Sequence, residues 1–92
     1  MIQSWRNSAT RQFAELGKSK FSGLDEGLAK RRLDLLNAAV TLDSLGQLRS
    51  IGLHALKGDR QGQWAITING PWRLVFRFEG GHAHDVEIVD YH

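Results

Sequence analysis

No cysteine occurs in the 92 residues. That absence excludes a disulfide framework and a thiolate zinc site, and nothing in the chemistry requires an oxidising compartment. No long apolar run occurs at the start of the chain. Residues 1–13 are interrupted by Gln3, Ser4, Arg6, Asn7 and Arg11, which leaves neither a signal-peptide core nor a membrane span, so we expect a soluble cytoplasmic protein with no membrane partner. Charge of one sign is also missing: 12 Lys and Arg stand against 10 Asp and Glu, for a net charge of +2, which permits a nucleic-acid partner without demanding one. Internal repeats and low-complexity segments are absent. A chain of 92 residues can build one hydrophobic core and has no room for a second. Residues 1–92 are therefore read as a single domain, whose active site must lie on its one sheet or its loops.

What is present divides into a helical half and a stranded half. Asn7 or Ser8 can cap a short helix in which Ala9, Phe13 and Leu16 recur at helical spacing, and Gly17 stops it. Before it, residues 2–6 read as a short strand. Ser22-Gly23-Leu24-Asp25 matches a capping box, after which Leu28, Leu35, Ala39 and Leu42 share one face of a long helix while Lys30, Arg31, Asp34 and Asn37 turn away. Asp43 and Ser44 can cap one further turn through Leu45 and Leu48, and Gly52 and Gly58 break the pattern across residues 50–63. Beyond Gly62 the period switches to two. Trp64, Ile66 and Ile68 alternate with Ala65, Thr67 and Asn69, and Asn69-Gly70-Pro71 makes a turn, since Pro71 has no N–H to give a ladder. Trp72, Leu74, Phe76 and Phe78 alternate with Arg73, Val75, Arg77 and Glu79, and Gly80-Gly81 reverses the chain into His84, Val86 and Ile88. The strands predict an antiparallel meander with one apolar face.

If Trp72, Leu74, Phe76 and Phe78 pack on the helices, Arg73 and Arg77 project from the opposite face. Tyr91 has the parity of Glu87 and Val89, so Arg73 and Tyr91 are expected together on that helix-free side, which we read as open and basic. The run 86–89 leads into Asp90, Tyr91 and His92, a cluster of titratable groups. Spacing does not fix the direction of Asp90 and His92, because strand ends twist. With His54, Lys57 and Arg73, this cluster suggests an acid/base site for a phosphate ester. RNA is cleaved when its 2′-hydroxyl attacks the adjacent phosphorus; a base takes the 2′ proton, an acid protonates the leaving 5′ oxygen, and cations stabilise the charge growing on the phosphate. Histidine, with an unperturbed pKa of about 6.5, suits either proton role. Arg73 offers a planar fork for two phosphate oxygens and Lys57 a point charge.

The motifs Leu53-His54-Ala55-Leu56-Lys57-Gly58-Asp59-Arg60, Gly62 with Trp64, Asn69-Gly70-Pro71-Trp72-Arg73 and Glu87-Ile88-Val89-Asp90-Tyr91-His92 occur in this order. Together they resemble the HigB toxins of bacterial toxin-antitoxin modules, also called the plasmid-maintenance killer family, within the RelE superfamily. The resemblance implies a RelE-like α+β fold with N-terminal helices packed on one face of a small, mainly antiparallel sheet. It implies a ribosome-dependent messenger-RNA endoribonuclease that acts in the ribosomal A site and inhibits translation, independent of metal and of any cofactor. Its implied partner is a HigA-like antitoxin with a helix-turn-helix domain, operator DNA being reached only through that antitoxin. The matching positions are His54, Lys57, Arg73, Asp90, Tyr91 and His92. Because this family replaces much of the Lys and Arg cluster of RelE proper with His and carboxylate, proton-transfer roles in RelE do not carry over directly. The expected division is one of His54 and His92 as base and the other as acid, Tyr91 orienting or stacking on a splayed nucleotide, and Asp90 fixing a histidine tautomer. Lys57, Arg60, Arg73 and Arg77 are the expected RNA contacts, with Arg77 alternatively a cross-strand partner of Glu79 or Glu87.

Blander readings stand beside these. A histidine taken alone is more often structural than catalytic, and His82 and His84, next to Gly80-Gly81, read as turn and strand surface, since two imidazoles without a third ligand make a weak zinc signal. Residues 57–60 can be a solvated turn with a local ion pair, which contributes only about 0 to 1 kcal/mol. Trp64 and Trp72 read as core. The spacing from Gly58 to Gly62 lacks the Lys-Ser/Thr ending of a phosphate-binding loop. The alternative function is a non-catalytic module that holds an antitoxin, RNA or DNA on the same face, with His54, Tyr91 and His92 giving contact area only. A metal-dependent hydrolase using His82, His84 and nearby carboxylates comes last.

Overall fold

The side chain of Asn7 accepts a hydrogen bond from Thr10 N at 2.9 Å and starts α1 (Ser8–Leu16), and Gly17 ends it in the left-handed region at φ 72°. A computed structural model describes residues 1–91. Asp25, rather than Ser22, caps α2 (Glu26–Ala38): its carboxylate accepts from Leu28 N at 3.0 Å, while the Ser22 carbonyl is taken by Trp72 Nε1 at 3.1 Å. The buried line of α2 is Ala29, Leu33 and Leu36, and the expected stripe of Leu28 and Leu35 forms its half-buried flank. A third helix, α3 (Leu42–Gly46), begins two or three residues earlier than Asp43-Ser44 suggested, because Thr41 Oγ1 accepts from Ser44 N at 3.1 Å.

The strands β1 (His54–Ala55), β2 (Trp64–Thr67), β3 (Trp72–Glu79) and β4 (His82–Asp90) form one sheet in sequence order, each pair antiparallel. The expected strand at residues 2–6 is reduced to two parallel bridges, Ile2 with Ala83 and Trp5 with Val86. These cover the outer edge of β4, which would otherwise present unpaired backbone groups. Where this segment departs, α1 takes over: the fully buried Thr10 Oγ1 accepts from Ile88 N at 3.0 Å.

Phe13, Leu33, Leu36, Leu45, Ile51, Ile66, Leu74, Phe76, Val86 and Ile88 make the core between helices and sheet, with Trp64 and Trp72 packed against it. This is the α+β architecture read from the sequence, helices on one face. At Asp85 the alternation slips: Val75 pairs with Glu87 but Arg77 with His84, so a bulge adds one residue to β4, and Asp85 takes φ 53°. Ala83 and Val86 therefore both face the core, and His84 moves to the opposite face, against the expected common side for His84 and Val86. Ser4 Oγ accepts from Asp85 N at 2.9 Å, and Arg77 Nε donates to its carboxylate at 2.9 Å, which holds the strained residue. Among the described residues no helix is long and apolar enough to cross a membrane.

Candidate functional site

Cross-strand partners share a face, so the register assigns the helix-free side row by row. His54, Ala65, Val75 and Glu87 form one row, and Thr67, Arg73 and Val89 the next. His54 and Arg73 thus emerge on the same face, two strands and one row apart, a separation of roughly 12 Å from strand and row spacings. Tyr91 follows Val89 onto this face.

Two devices place His54. Gly52, at φ 58°, bends the chain into β1 so closely that a Cβ there would lie 3.1 Å from Thr67 Oγ1. Its carbonyl then lies 3.0 Å from His54 Nδ1. A carbonyl only accepts, so Nδ1 carries the hydrogen, and in the neutral ring the exposed imidazole presents Nε2 as its basic nitrogen. Lys57 is exposed in the turn after β1 and leads into a 3-10 turn at Gly58–Arg60. Arg73 is half-buried, and its Nη1 donates to the carbonyls of Gly70 at 2.7 Å and Trp72 at 2.9 Å. None of the ion pairs among the described residues includes it.

The centre of this face is neither open nor uniformly basic, which corrects the sequence-based expectation. Leu56, just after β1, forms a small buried patch with Ala65 and Val75, and Val89 and Tyr91 pack against it. Tyr91 is half-buried there, its backbone N–H donating to Pro71 O at 2.9 Å. Asp90 stands opposite Trp72, the parity of the helix side, and is exposed. His92 lies outside the described residues.

Arg60 and Arg77 differ from Arg73 in being paired with acids. Arg77 meets Asp85 at 2.9 Å and Glu79 at 3.2 Å, the latter one of the alternatives read from spacing. Arg60 Nη1 meets Glu87 at 2.6 Å and donates to Gln63 Oε1 at 3.1 Å. His82, by contrast, lies away from the cluster and accepts from Gln3 Nε2 at 3.2 Å. Sequence reasoning put Glu87 on this face by parity and offered it to Arg77, but passed over its pairing with Arg60. A carboxylate between Val86 and Ile88 in a strand was its available signal.

The arrangement is thus a histidine with a defined tautomer, the Arg73 guanidinium and a tyrosine on an apolar patch, all reached from one side of the sheet, with Lys57 exposed in the turn beyond β1. Comparison with known proteins agrees with the resemblance already drawn from the motifs. Residues 3–92 match the model of the RelE-like toxin of the type II toxin-antitoxin system HigB. The chain is also similar to the endoribonuclease HigB of Proteus vulgaris, 38% identical over 94 residues that span the whole of both chains. This protein therefore belongs to the HigB-like family, the RelE-like toxins of type II toxin-antitoxin systems.

Proposed function

We propose that this toxin is an endoribonuclease that cuts messenger RNA on the ribosome, in the A site, and so inhibits translation. The observation that carries the reading is that His54 and Arg73, by register, and Tyr91, by its packing, share one face. The similarity to a protein named an endoribonuclease supports it.

In the proposed reaction one of His54 and His92 takes the 2′ proton, the 2′ oxygen bonds to phosphorus, and the bond to the 5′ oxygen breaks as the other histidine protonates that oxygen. The products are a 2′,3′-cyclic phosphate and a 5′-hydroxyl. If His54 is the base, its Nε2 is the receiving atom, since the Gly52 carbonyl holds the hydrogen on Nδ1. Arg73 and Lys57 stabilise the charge that grows on the phosphate oxygens. Tyr91 orients or stacks on the splayed nucleotide, and Asp90 fixes a histidine tautomer. No step is routed through a metal or a cofactor. Membership of a type II toxin family implies an antitoxin partner, for which we favour a HigA-like protein with a helix-turn-helix domain that alone contacts operator DNA.

Primer extension on a reporter message after brief induction tests this, with wild type beside Arg73→Ala, His54→Ala and His92→Ala and with purified protein on RNA lacking ribosomes. Cuts are expected within the translated frame for wild type, absent without ribosomes, and reduced roughly a hundredfold in each variant. An intact message with wild type, alongside retained partner binding, would leave only the non-catalytic binding module.

A further inference from the structure

Glu87 lies between Val86 and Ile88, both in the helix-side core, yet turns its carboxylate onto the other face at 6% exposure. Withdrawing a charge from water opposes folding, and a well-packed apolar side chain at such a position often serves stability as well or better. Its partners show what the carboxylate holds. One oxygen accepts from Arg60 Nη1 at 2.6 Å and lies 3.6 Å from Arg6 Nε, and the same Arg60 nitrogen donates to Gln63. The guanidinium so fixed has its carbon 6.0 Å from the centre of the Tyr91 ring, within the range of a cation–π attraction. That ring also packs on Leu56, Ala65 and Val75.

We infer that Glu87 and Arg60 are positioning residues: the carboxylate fixes the guanidinium, and the guanidinium holds the Tyr91 ring on the apolar patch. Arg60 is then not an anchor for RNA phosphate, since a phosphodiester would have to displace a buried carboxylate already bonded to it. A lysine at position 60 keeps the charge but loses the planar fork that bonds Glu87 and Gln63 while lying over a ring. The inference rests on the proposed RNA cleavage only for what Tyr91 meets; the clasp itself does not depend on it.

Tyr91 is the single tyrosine of the chain, so biosynthetic fluorotyrosine gives one fluorine resonance that reports on this ring alone. The test compares the full-length wild type with Arg60→Lys, Glu87→Gln and, as a control on α1, Arg11→Gln. In both clasp variants the resonance is expected to move toward that of free fluorotyrosine and to sharpen, while the control leaves it in place. On programmed ribosomes the same two variants should lower the single-turnover cleavage rate about tenfold with little change in the half-saturating ribosome concentration. An unmoved resonance in folded Arg60→Lys overturns the clasp, as does an unchanged cleavage rate with a raised half-saturation, the signature of a lost phosphate anchor. Arg60→Lys carries the test alone if Glu87→Gln fails to fold. A wild type that cleaves nothing on ribosomes defeats the proposed function, whereas the fluorine spectra still decide the clasp.

Discussion

At the scale of single residues, what distinguishes the arginines of the helix-free face is their company. Arg60 and Arg77 bond to carboxylates, whereas Arg73 is braced by two backbone carbonyls and enters none of the ion pairs among the described residues. The sequence offered all three as RNA contacts, with Arg73 also in the catalytic set and Arg77 alternatively a cross-strand partner of Glu79 or Glu87. His54 depends in a similar way on a neighbour with no functional group. Gly52 occupies φ 58°, and its carbonyl sets the tautomer of the imidazole two residues on. Gly52→Ala should therefore cost about 1–3 kcal/mol, from left-handed strain with crowding against Thr67 Oγ1 in addition. Urea unfolding measures that loss. Because relief of the strain would also move the carbonyl, cleavage should fall further than the fraction of folded protein does. Cleavage that simply tracks the folded fraction would detach Gly52 from His54.

At the scale of elements, side chains distant in sequence finish what local pattern begins. Asn69 sits in the turn between β2 and β3, yet its Oδ1 accepts from Asp25 N at 2.8 Å and its Nδ2 donates to Gly23 O at 3.0 Å, tying that turn to the start of α2. Asn69→Ala should destabilise the fold by about 1–2 kcal/mol, given two modest hydrogen bonds, and calorimetry against wild type checks it. Thr10→Val is a sharper case. The swap nearly conserves shape but orphans the buried N–H of Ile88, for a loss of about 1–3 kcal/mol. Hydrogen exchange should show the Ile88 amide losing protection before its neighbours. The alternation of Trp72, Leu74, Phe76 and Phe78 was legible because period two survives without knowledge of partners, and the caps at Asn7 and Gly17 because they are local. The bulge at Asp85 was not legible, since what stabilises φ 53° there is Ser4, at the other end of the chain, and Arg77 on the adjacent strand. The cap of α2 moved from Ser22 to Asp25 for a related reason: the Trp72 indole claims the Ser22 carbonyl. In the candidate site, Arg73 and Tyr91 could be placed by parity. The pairing of Arg60 with Glu87 spans 27 residues and leaves no periodic trace.

For the whole molecule, the question is how a protein of net charge +2 acts on a polyanion. The ion pairs of the described residues engage Arg6, Arg11, Arg60 and Arg77; Arg73 on the candidate face and Lys57 in the turn after β1 belong to none of these pairs. Affinity for a single strand falls with salt by a slope of about −0.7 per phosphate neutralised, so two cations give a log–log slope of only about −1.4. Binding of free RNA should accordingly be weak and only mildly sensitive to salt, with the ribosome supplying the orientation that the toxin's own surface does not. Anisotropy of a labelled single-stranded oligonucleotide titrated across a range of potassium chloride gives the slope directly. A value near that expectation fits a face on which Arg60 and Arg77 stay with their carboxylates. A slope of about −3 or steeper would mean that these arginines leave Glu87 and Asp85 to meet phosphate. In that case the described pairs would be a resting arrangement that RNA undoes, and the free protein should already cleave RNA without a ribosome.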